Sequence, residues 1–224
     1  VAKLEIDGKS YLLDASDKLN PFGMLPFKCL NYYGRVMDFK NDSYWYDIPI
    51  DERSRQYIKT QISFDLTNNK AIGVFDEINS GYYAINKKKI LSQKTEEEYL
   101  DSFENSSSGN FTIVSYKYNE EESDAKKTSE RFDYEIESII NNDIVFLNPF
   151  FMRFFSKNPF NLEERNYPID FGYKRNYTYL ATIMIPEGYE VQELPENKMI
   201  ALEKDEIALR FTCAKSQDQI TLSF

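Results

Sequence analysis

Short runs of alternating apolar and polar residues, separated by turn residues, recur along most of the chain and constrain its fold more than any other feature. Residues 56–66 and 70–79, QYIKTQISFDL and KAIGVFDEIN, are typical, and Thr67-Asn68-Asn69 predicts a hairpin turn between them. Because successive side chains of a strand point to opposite faces, this period indicates strands with one buried face. Further short strand-like runs follow from residue 111 to the end, including residues 189–195, YEVQELP. Such spacing favours an antiparallel β-sandwich or barrel.

The period changes to three and four residues within one segment, residues 81–105. Thr95 followed by Glu96, Glu97 and Glu98 predicts a helix N-terminus, since acidic side chains in a first turn suit the helix dipole. We therefore expect a pair of helices or one broken helix here, with the basic run 87–89 on a solvated face. The predicted fold class is mainly β (α+β), an antiparallel β-sandwich with a helical insertion.

Composition supports strands and disfavours two classes of partner. Aromatic residues make up 16% of the chain, and flat rings pack well on a pleated surface. A net charge of −10 disfavours nucleic acid, whose phosphates are bound by clustered lysine and arginine. No apolar run approaches the roughly 20 residues that span a bilayer, so we expect no membrane insertion. Cys29 and Cys213 lie far apart in the sequence; we favour two buried free thiols, although sequence cannot show whether they pair.

The chain contains no histidine, which excludes most familiar hydrolytic centres. Neither a Ser-His nor a Cys-His pair can be built from it, and neither can an imidazole metal site. The segment DASDKLN lacks the ligand spacing of an EF-hand, so Asp14 and Asp17 are expected to make turns. We predict no metal and no cofactor. A pair of carboxylates able to hydrolyse a glycoside remains an alternative, but 37 acidic residues supply such pairs by chance.

Aromatic and charged residues are mixed in residues 158–179, NPFNLEERNYPIDFGYKRNYTY. Such a mixture suits a face that binds a sugar or a peptide. A sandwich corner stabilised by arginine–carboxylate pairing explains it equally well, and we favour the corner. The candidate binding face consists of Arg165, Tyr167, Asp170, Tyr173 and Arg175.

The first 35 residues combine a hairpin with a long irregular loop. Asp7-Gly8 between apolar runs is a strong hairpin signal, and residues 15–35 are too apolar for a free linker. We expect that loop to be ordered and packed on a neighbouring surface. Because the sequence opens directly on a predicted strand, without a methionine or signal peptide, it reads as a piece of a larger protein.

Two stretches of the sequence resemble a known family. Residues 8–36, GKSYLLDASDKLNPFGMLPFKCLNYYGRV, resemble the end of the transglutaminase-like (papain-like thiol) domain of bacterial multidomain proteins, with LDAS followed by PFGMLP. Residues 158–195 resemble the uncharacterised β-domain that follows it, and GYYAINKKK resembles the segment linking the two. The resemblance implies that residues 1–50 are a catalytic-domain remnant with a packed loop. Residues 51–224 would be a β-sandwich accessory domain with helices at about 81–105.

The same resemblance implies a role for Asp14. It matches the third member of a Cys-His-Asp triad, whose histidine and cysteine would precede Val1, whereas neither Cys29 nor Cys213 matches the nucleophile. From the residues alone, Asp14 is a strand-end aspartate that caps backbone amides with Ser16. Either interpretation predicts a catalytically inert chain.

The function expected from the resemblance is a non-catalytic accessory module of an exported protein, periplasmic or extracellular. Its partner would be the upstream catalytic domain, and a protein, peptide or glycan ligand is possible on the aromatic face. A carboxylate-based hydrolase, a carbohydrate-binding module and a purely structural spacer are the alternatives. Whether the parent hydrolyses or cross-links amides is left open.

Overall fold

The computed structural model describes residues 1–38, 40–50, 53–107, 110–120, 125–141, 144–150, 164, 166, 169–202 and 207–224. These residues are mainly β, with 49% of them in strands and 13% in helices, as the sequence predicts. No helix among these residues is long and apolar enough to cross a membrane.

Most of the described elements are strands, and two consecutive helices lie between the sixth and the seventh strand. The strands are β1 Ala2–Ile6, β2 Lys9–Leu13, β3 Tyr33–Val36, β4 Tyr44–Asp47, β5 Ser54–Asp65, β6 Lys70–Ser80, β7 Asn110–Glu120, β8 Lys127–Glu137, β9 Ile140–Asn141, β10 Ile144–Val145, β11 Arg175–Met184, β12 Lys198–Ala201, β13 Ala208–Ser216 and β14 Gln219–Ser223. The helices are α1 Tyr82–Gln93 and α2 Glu96–Ser106, and a short 3-10 turn spans Phe27–Cys29.

One large sheet dominates the fold, with strand order β12-β13-β14-β11-β5-β6-β8-β7. The pairs within it are antiparallel except for β5 and β11, which run parallel. The prediction of a strictly antiparallel sheet is therefore wrong at this pair. The alternation of side chains marks a strand but not its direction, and parallel neighbours need the long crossover that the helices and the β7–β8 hairpin provide here.

The core lies on one face of this sheet. Large side chains of the central strands are fully buried there: Ile58, Phe75, Phe132, Tyr134 and Tyr179. Phe103 of α2 stacks on Phe132 with ring centroids 4.9 Å apart, and Phe150 covers Tyr179 at 5.4 Å. In the described part of the chain, the two helices and the segment before residue 151 thus cover this face. The second sheet of a sandwich stays a prediction.

Both helices begin at specific caps. Thr95 and Glu98 form a capping box at the start of α2, which confirms the predicted N-terminus. The cap of α1 comes from β5, because the Oγ of the buried Ser54 accepts the N–H of Tyr82 at 2.9 Å. Gly81 precedes the helix with φ of 63°, and a Cβ there would lie 2.5 Å from that Oγ. Of the two predicted arrangements, a pair of helices or one broken helix, the structure has the pair.

The first 50 residues form two small hairpins and a packed loop. β1 pairs with β2 through Asp7-Gly8, and β3 pairs with β4, each as a separate two-stranded sheet. The loop between them buries Met24 and Leu25 against Ile85 of α1, as expected for an ordered loop.

One predicted strand is wrong. Residues 189–195 form no strand, although their side chains alternate. Pro186 precedes this segment and Pro195 is its last residue, and neither has the N–H that a ladder requires. The alternation by itself therefore does not create a strand.

Candidate functional site

Asp14 directly follows β2, and Ser16 fixes its carboxylate. Oδ1 accepts the backbone N–H of Ser16 at 2.8 Å and also accepts a short hydrogen bond from the Ser16 hydroxyl. The hydroxyl first, and then the N–H, hold the pKa of Asp14 below its usual range. The predicted turn with Ser16 is confirmed, and the carboxylate is ionised at neutral pH.

The other carboxylate oxygen faces a thiol. Sγ of Cys29 lies 4.0 Å from Oδ2 of Asp14, and within the described residues it is the only hydrogen-bond donor to that oxygen. Cys29 ends the 3-10 turn and is half-buried. Since the chain has no histidine, this thiol–carboxylate pair has no imidazole to act as a base. The contact by itself therefore does not form a thiol–imidazole couple.

A cavity of about 540 Å³ opens beside this pair, between the β1–β2 and β3–β4 hairpins. Its volume is within the range of small-molecule sites. Its lining combines apolar, cationic and thiol side chains, among them Leu12, Lys28, Cys29, Met37, Tyr46 and Ile48. A smaller cavity of about 190 Å³ lies between the loop and Tyr82. The larger cavity is thus linked to Asp14 through Cys29, which lines it.

Apolar side chains around this cavity are left uncovered. Leu4 and Ile6 of β1 are 41% and 44% exposed, and Val1 and Met37, which line the cavity, are exposed further. A two-stranded hairpin is at best marginally stable alone in water. The β1–β2 hairpin thus offers apolar surface and open strand edges to a further layer.

Part of the predicted binding face lies outside the described residues, namely Arg165 and Tyr167. Asp170 is described, and its Oδ1 accepts the N–H of Gly172 at 2.7 Å in a tight turn. Asp170 therefore shapes the backbone before β11, as aspartate commonly does in turns.

Tyr173 and Arg175 are brought together. The Arg175 guanidinium lies 4.7 Å from the centre of the Tyr173 ring and donates to the carbonyl of Phe171 at 3.2 Å. Tyr173 is half-buried and stacks on Tyr82 of α1 with centroids 4.5 Å apart. Among the described residues Arg175 has no carboxylate partner, so the arginine–carboxylate corner is not formed by Asp170. Ring stacking and a cation–π contact organise this corner instead.

The two cysteines are free, as favoured from the sequence, but both are half-buried rather than buried. Partial burial raises the pKa of the Cys213 thiol above its ordinary value. Cys213 is on β13, in the large sheet, and Cys29 is in the N-terminal loop.

A second group of charged and polar side chains lies inside the protein, beneath α1. Lys87 was expected on a solvated face, but its ammonium is buried and lies 2.5 Å from Glu130 and 3.3 Å from Glu77. Both glutamate side chains are fully buried on adjacent strands, directly opposite each other in the β6–β8 register. The expectation of a solvated lysine run is wrong for Lys87, because two buried carboxylates attract it into the core.

Hydrogen bonds complete this buried network. The Lys87 ammonium donates to the hydroxyl of Tyr99 at 2.8 Å, and that hydroxyl donates to Glu130 at 3.1 Å. Tyr116 donates to the other oxygen of Glu130 at 2.8 Å. Gln56 and Asn79 donate to Oε1 of Glu77 at 2.7 and 2.6 Å.

The network perturbs proton affinities in a consistent direction. Burial, reinforced by the charge of Glu77, raises the pKa of Glu130, although Lys87 opposes the shift. Burial disfavours the charge on Lys87, but the two glutamates outweigh it and raise the pKa of Lys87. Burial also raises the pKa of Tyr99. The cation is thereby held charged, and one ammonium serves two carboxylates.

A sequence signal for this network exists. Glu77 and Asn79 continue the inward-facing phase of Ala71 and Phe75 along β6. Glu130 continues the phase of Phe132 along β8 in the same way. An acidic residue in phase with the apolar face of a strand indicates a buried charge that needs a partner. In the described ranges, no cluster of three or more acidic or cysteine side chains has the geometry to hold a metal ion.

Comparison with known proteins identifies one domain. Residues 142–224 match DUF3858, a domain of unknown function with a solved structure. The match covers the C-terminal part of the chain, less than half of its length. No curated protein matches the chain, and no solved structure matches it either. A domain of unknown function is thus found in the region where the sequence predicted one, and the link to a transglutaminase-like domain stays a prediction.

Proposed function

We propose that residues 1–50 complete a transglutaminase-like thiol domain and that residues 51–224 form the accessory β-module that supports it. In this proposal Asp14 is the carboxylate of a Cys-His-Asp triad. It would hold the histidine in its working tautomer and stabilise the imidazolium that forms during catalysis. The accessory module is non-catalytic, and the isolated chain is inert.

The observation that carries this proposal is the state of the N-terminal hairpins. They hold an ionised, fixed carboxylate beside a cavity of about 540 Å³, and they expose apolar side chains and open strand edges around it. A hairpin of this kind is stabilised when further strands pair with it or a layer covers it. The upstream strands of a thiol domain would supply that cover and bring the missing histidine and cysteine near Asp14.

Contacts between the two parts support the buttressing role. The Tyr82 hydroxyl of α1 donates to the carbonyl of Leu25 at 2.8 Å. Lys89 forms an ion pair with Asp17 at 2.5 Å, three residues after Asp14 in the sequence. The loop that follows Asp14 is thus fixed to α1, which in turn packs on the large sheet. A catalytic carboxylate at Asp14 would need a rigid support of this kind.

The proposed localisation and the proposed partner follow from the resemblance of the sequence to part of a larger exported protein. An export signal would belong to the parent, which places the module in the periplasm or outside the cell, and its main partner would be the catalytic domain. The rival hydrolase would need two carboxylates at a cleft that a substrate can enter. Glu77 and Glu130 do not favour it, because both are enclosed and bound to Lys87.

A sequence determination and an activity assay test the proposal. The coding sequence upstream of Val1 should encode a strand with a histidine, and a cysteine further upstream. The isolated chain should show no turnover of peptide, amide or glycan substrates, whereas the full gene product should hydrolyse or transfer an amide. Robust turnover by the isolated chain that a single acidic substitution abolishes would overturn the proposal in favour of the carboxylate hydrolase.

A further inference from the structure

The β3–β4 hairpin has one face that combines aromatic and charged side chains. Because opposed residues of an antiparallel pair share a face, Tyr33 lies beside Asp47, and Arg35 lies beside Trp45. We call these four residues the Trp45 face. The larger cavity is lined by the other side of the hairpin, at Gly34, Val36 and Tyr46, and also by Arg35 at its border with the Trp45 face.

The Trp45 face exposes two aromatic rings in a fixed arrangement. The rings of Tyr33 and Trp45 are perpendicular, with an interplanar angle of 86° and centroids 5.3 Å apart. Tyr33 is 56% exposed and Trp45 is 62% exposed. Two large rings left in water, one of them the single tryptophan of the chain, mark a recognition surface more than a structural one.

Polar groups flank the rings. The Arg35 guanidinium lies 5.4 Å from the centre of the Trp45 ring and donates to the Ser43 hydroxyl at 3.1 and 2.6 Å. It is therefore held in place before any ligand arrives, which lowers the entropy lost on binding. Asp47 is exposed, and its carboxylate makes no hydrogen bond or ion pair with any residue that the structure describes. The face thus has an ordered donor and an uncommitted acceptor on either side of the rings.

We propose that the Trp45 face binds a neutral oligosaccharide. The C–H groups of a pyranose ring pack on the electron-rich face of an aromatic ring, while its hydroxyls need both donors and acceptors at the edge. The charges of Arg35 and Asp47 balance, and the net charge of −10 disfavours an anionic polymer. A purely apolar partner would instead bury both charged groups unpaired, at considerable cost. This inference goes beyond the proposed function and does not depend on Asp14.

The single tryptophan makes the binding directly observable. The full chain is titrated with hexamers of α-1,4-glucose, β-1,4-glucose, β-1,4-mannose and β-1,4-N-acetylglucosamine while its emission is recorded. We expect a saturable change in emission with at least one hexamer. By calorimetry, Trp45→Ala and Tyr33→Ala should each weaken binding of that hexamer at least tenfold, and Asp47→Asn should weaken it several-fold. Tyr32→Ala removes a neighbouring ring of similar exposure outside the face and should leave binding unchanged.

Several results would overturn the inference. One is an unchanged emission with every hexamer, and another is binding that survives Trp45→Ala. Tighter binding of polygalacturonate than of any neutral hexamer would contradict the ligand class. Binding of a tyrosine- or proline-rich peptide at these residues, with no sugar bound, would make the face a protein interface instead. If Trp45→Ala does not fold, Trp45→Phe serves in its place, and it should retain weaker binding.

Discussion

Replacement of Lys87 by methionine probes the buried network most severely. Methionine keeps the length and apolar stem of the side chain but removes the ammonium that lies 2.5 Å from Glu130 and 3.3 Å from Glu77. At an effective dielectric constant of about 20, these contacts contribute roughly 5–7 kcal/mol each before desolvation is subtracted. In the wild-type protein desolvation of the three charges offsets most of that gain, whereas in the variant the two carboxylates remain buried without a cation.

We expect Lys87→Met to lower the free energy of unfolding by about 3–5 kcal/mol, as for other buried pairs that lose one partner. For a chain of this size that corresponds to a Tm roughly 6–20 °C lower. The control is Lys70→Met, because Lys70 also contacts two glutamates, at 2.7 and 3.2 Å, but is 30% exposed. Solvent screens that cluster, so its loss should be about 1 kcal/mol or less. Urea unfolding monitored by circular dichroism measures both.

The loss of unfolding free energy in Lys87→Met, called the deficit below, should depend on pH in a defined direction. Lys87 opposes the rise in the pKa of Glu130, so its removal raises that pKa further. A group whose folded pKa is raised contributes stability below its unfolded pKa and loses it as the pH rises through the folded value. The deficit of Lys87→Met should therefore be larger at about pH 8 than at about pH 4.5. A loss equal to that of Lys70→Met, or one independent of pH, would refute the reasoning. If the variant does not fold, Glu130→Gln tests the same point, because its stability relative to wild type should rise with pH.

Three further predictions follow from other sites. Thr128→Val should be neutral or stabilise the protein by about 1 kcal/mol, because the buried Thr128 hydroxyl has no hydrogen-bond partner in the described chain. Thr60→Val should destabilise the protein, because the Thr60 hydroxyl contacts a carbonyl at 3.0 Å and a tyrosine hydroxyl at 2.7 Å. Equal changes in Tm for the two variants would contradict this. Gly172→Ala should cost roughly 1–3 kcal/mol more than Gly188→Ala in urea unfolding, since both have positive φ but only at Gly172 would a Cβ lie 2.3 Å from a phenylalanine ring. Asp14→Asn should lower the free energy of unfolding above about pH 5, because the pKa of Asp14 is lowered in the fold, and the difference should vanish as the pH falls below the ordinary value of 3.8; a difference that persists in acid would contradict that assignment.

Local signals in the sequence predicted local structure well. Asp7-Gly8 marked a hairpin, and Thr95 marked the start of α2, because turn and cap chemistry depends on residues close in sequence. The parallel direction of β11 against β5 could not be predicted, since it is set by a long crossover rather than by either strand.

In the candidate sites, too, features that depend on sequence neighbours could be predicted, whereas features that depend on distant residues could not. The turn of Asp14 with Ser16 could be predicted because the two residues are neighbours. The buried position of Lys87 could not be inferred from its own helix, because the carboxylates that hold it lie on two strands outside α1. The sequence signal for the buried charge was Glu77, which is in phase with the buried apolar residues of β6. The Trp45 face depends on hairpin register, which places Arg35 beside Trp45 only once β3 and β4 are paired.

The proposed triad role of Asp14 is tested most directly in the full product of the gene. Asp14→Asn should reduce kcat for amide hydrolysis or transfer on the order of 10³–10⁴-fold with little change in KM, as loss of the orienting carboxylate does in a catalytic triad. Asp65→Asn removes a carboxylate that likewise accepts a backbone N–H, from Asn68 at 3.1 Å, but that lies at the end of β5, so it should leave kcat nearly unchanged. Full activity in Asp14→Asn, or equal losses in the two variants, would contradict the account.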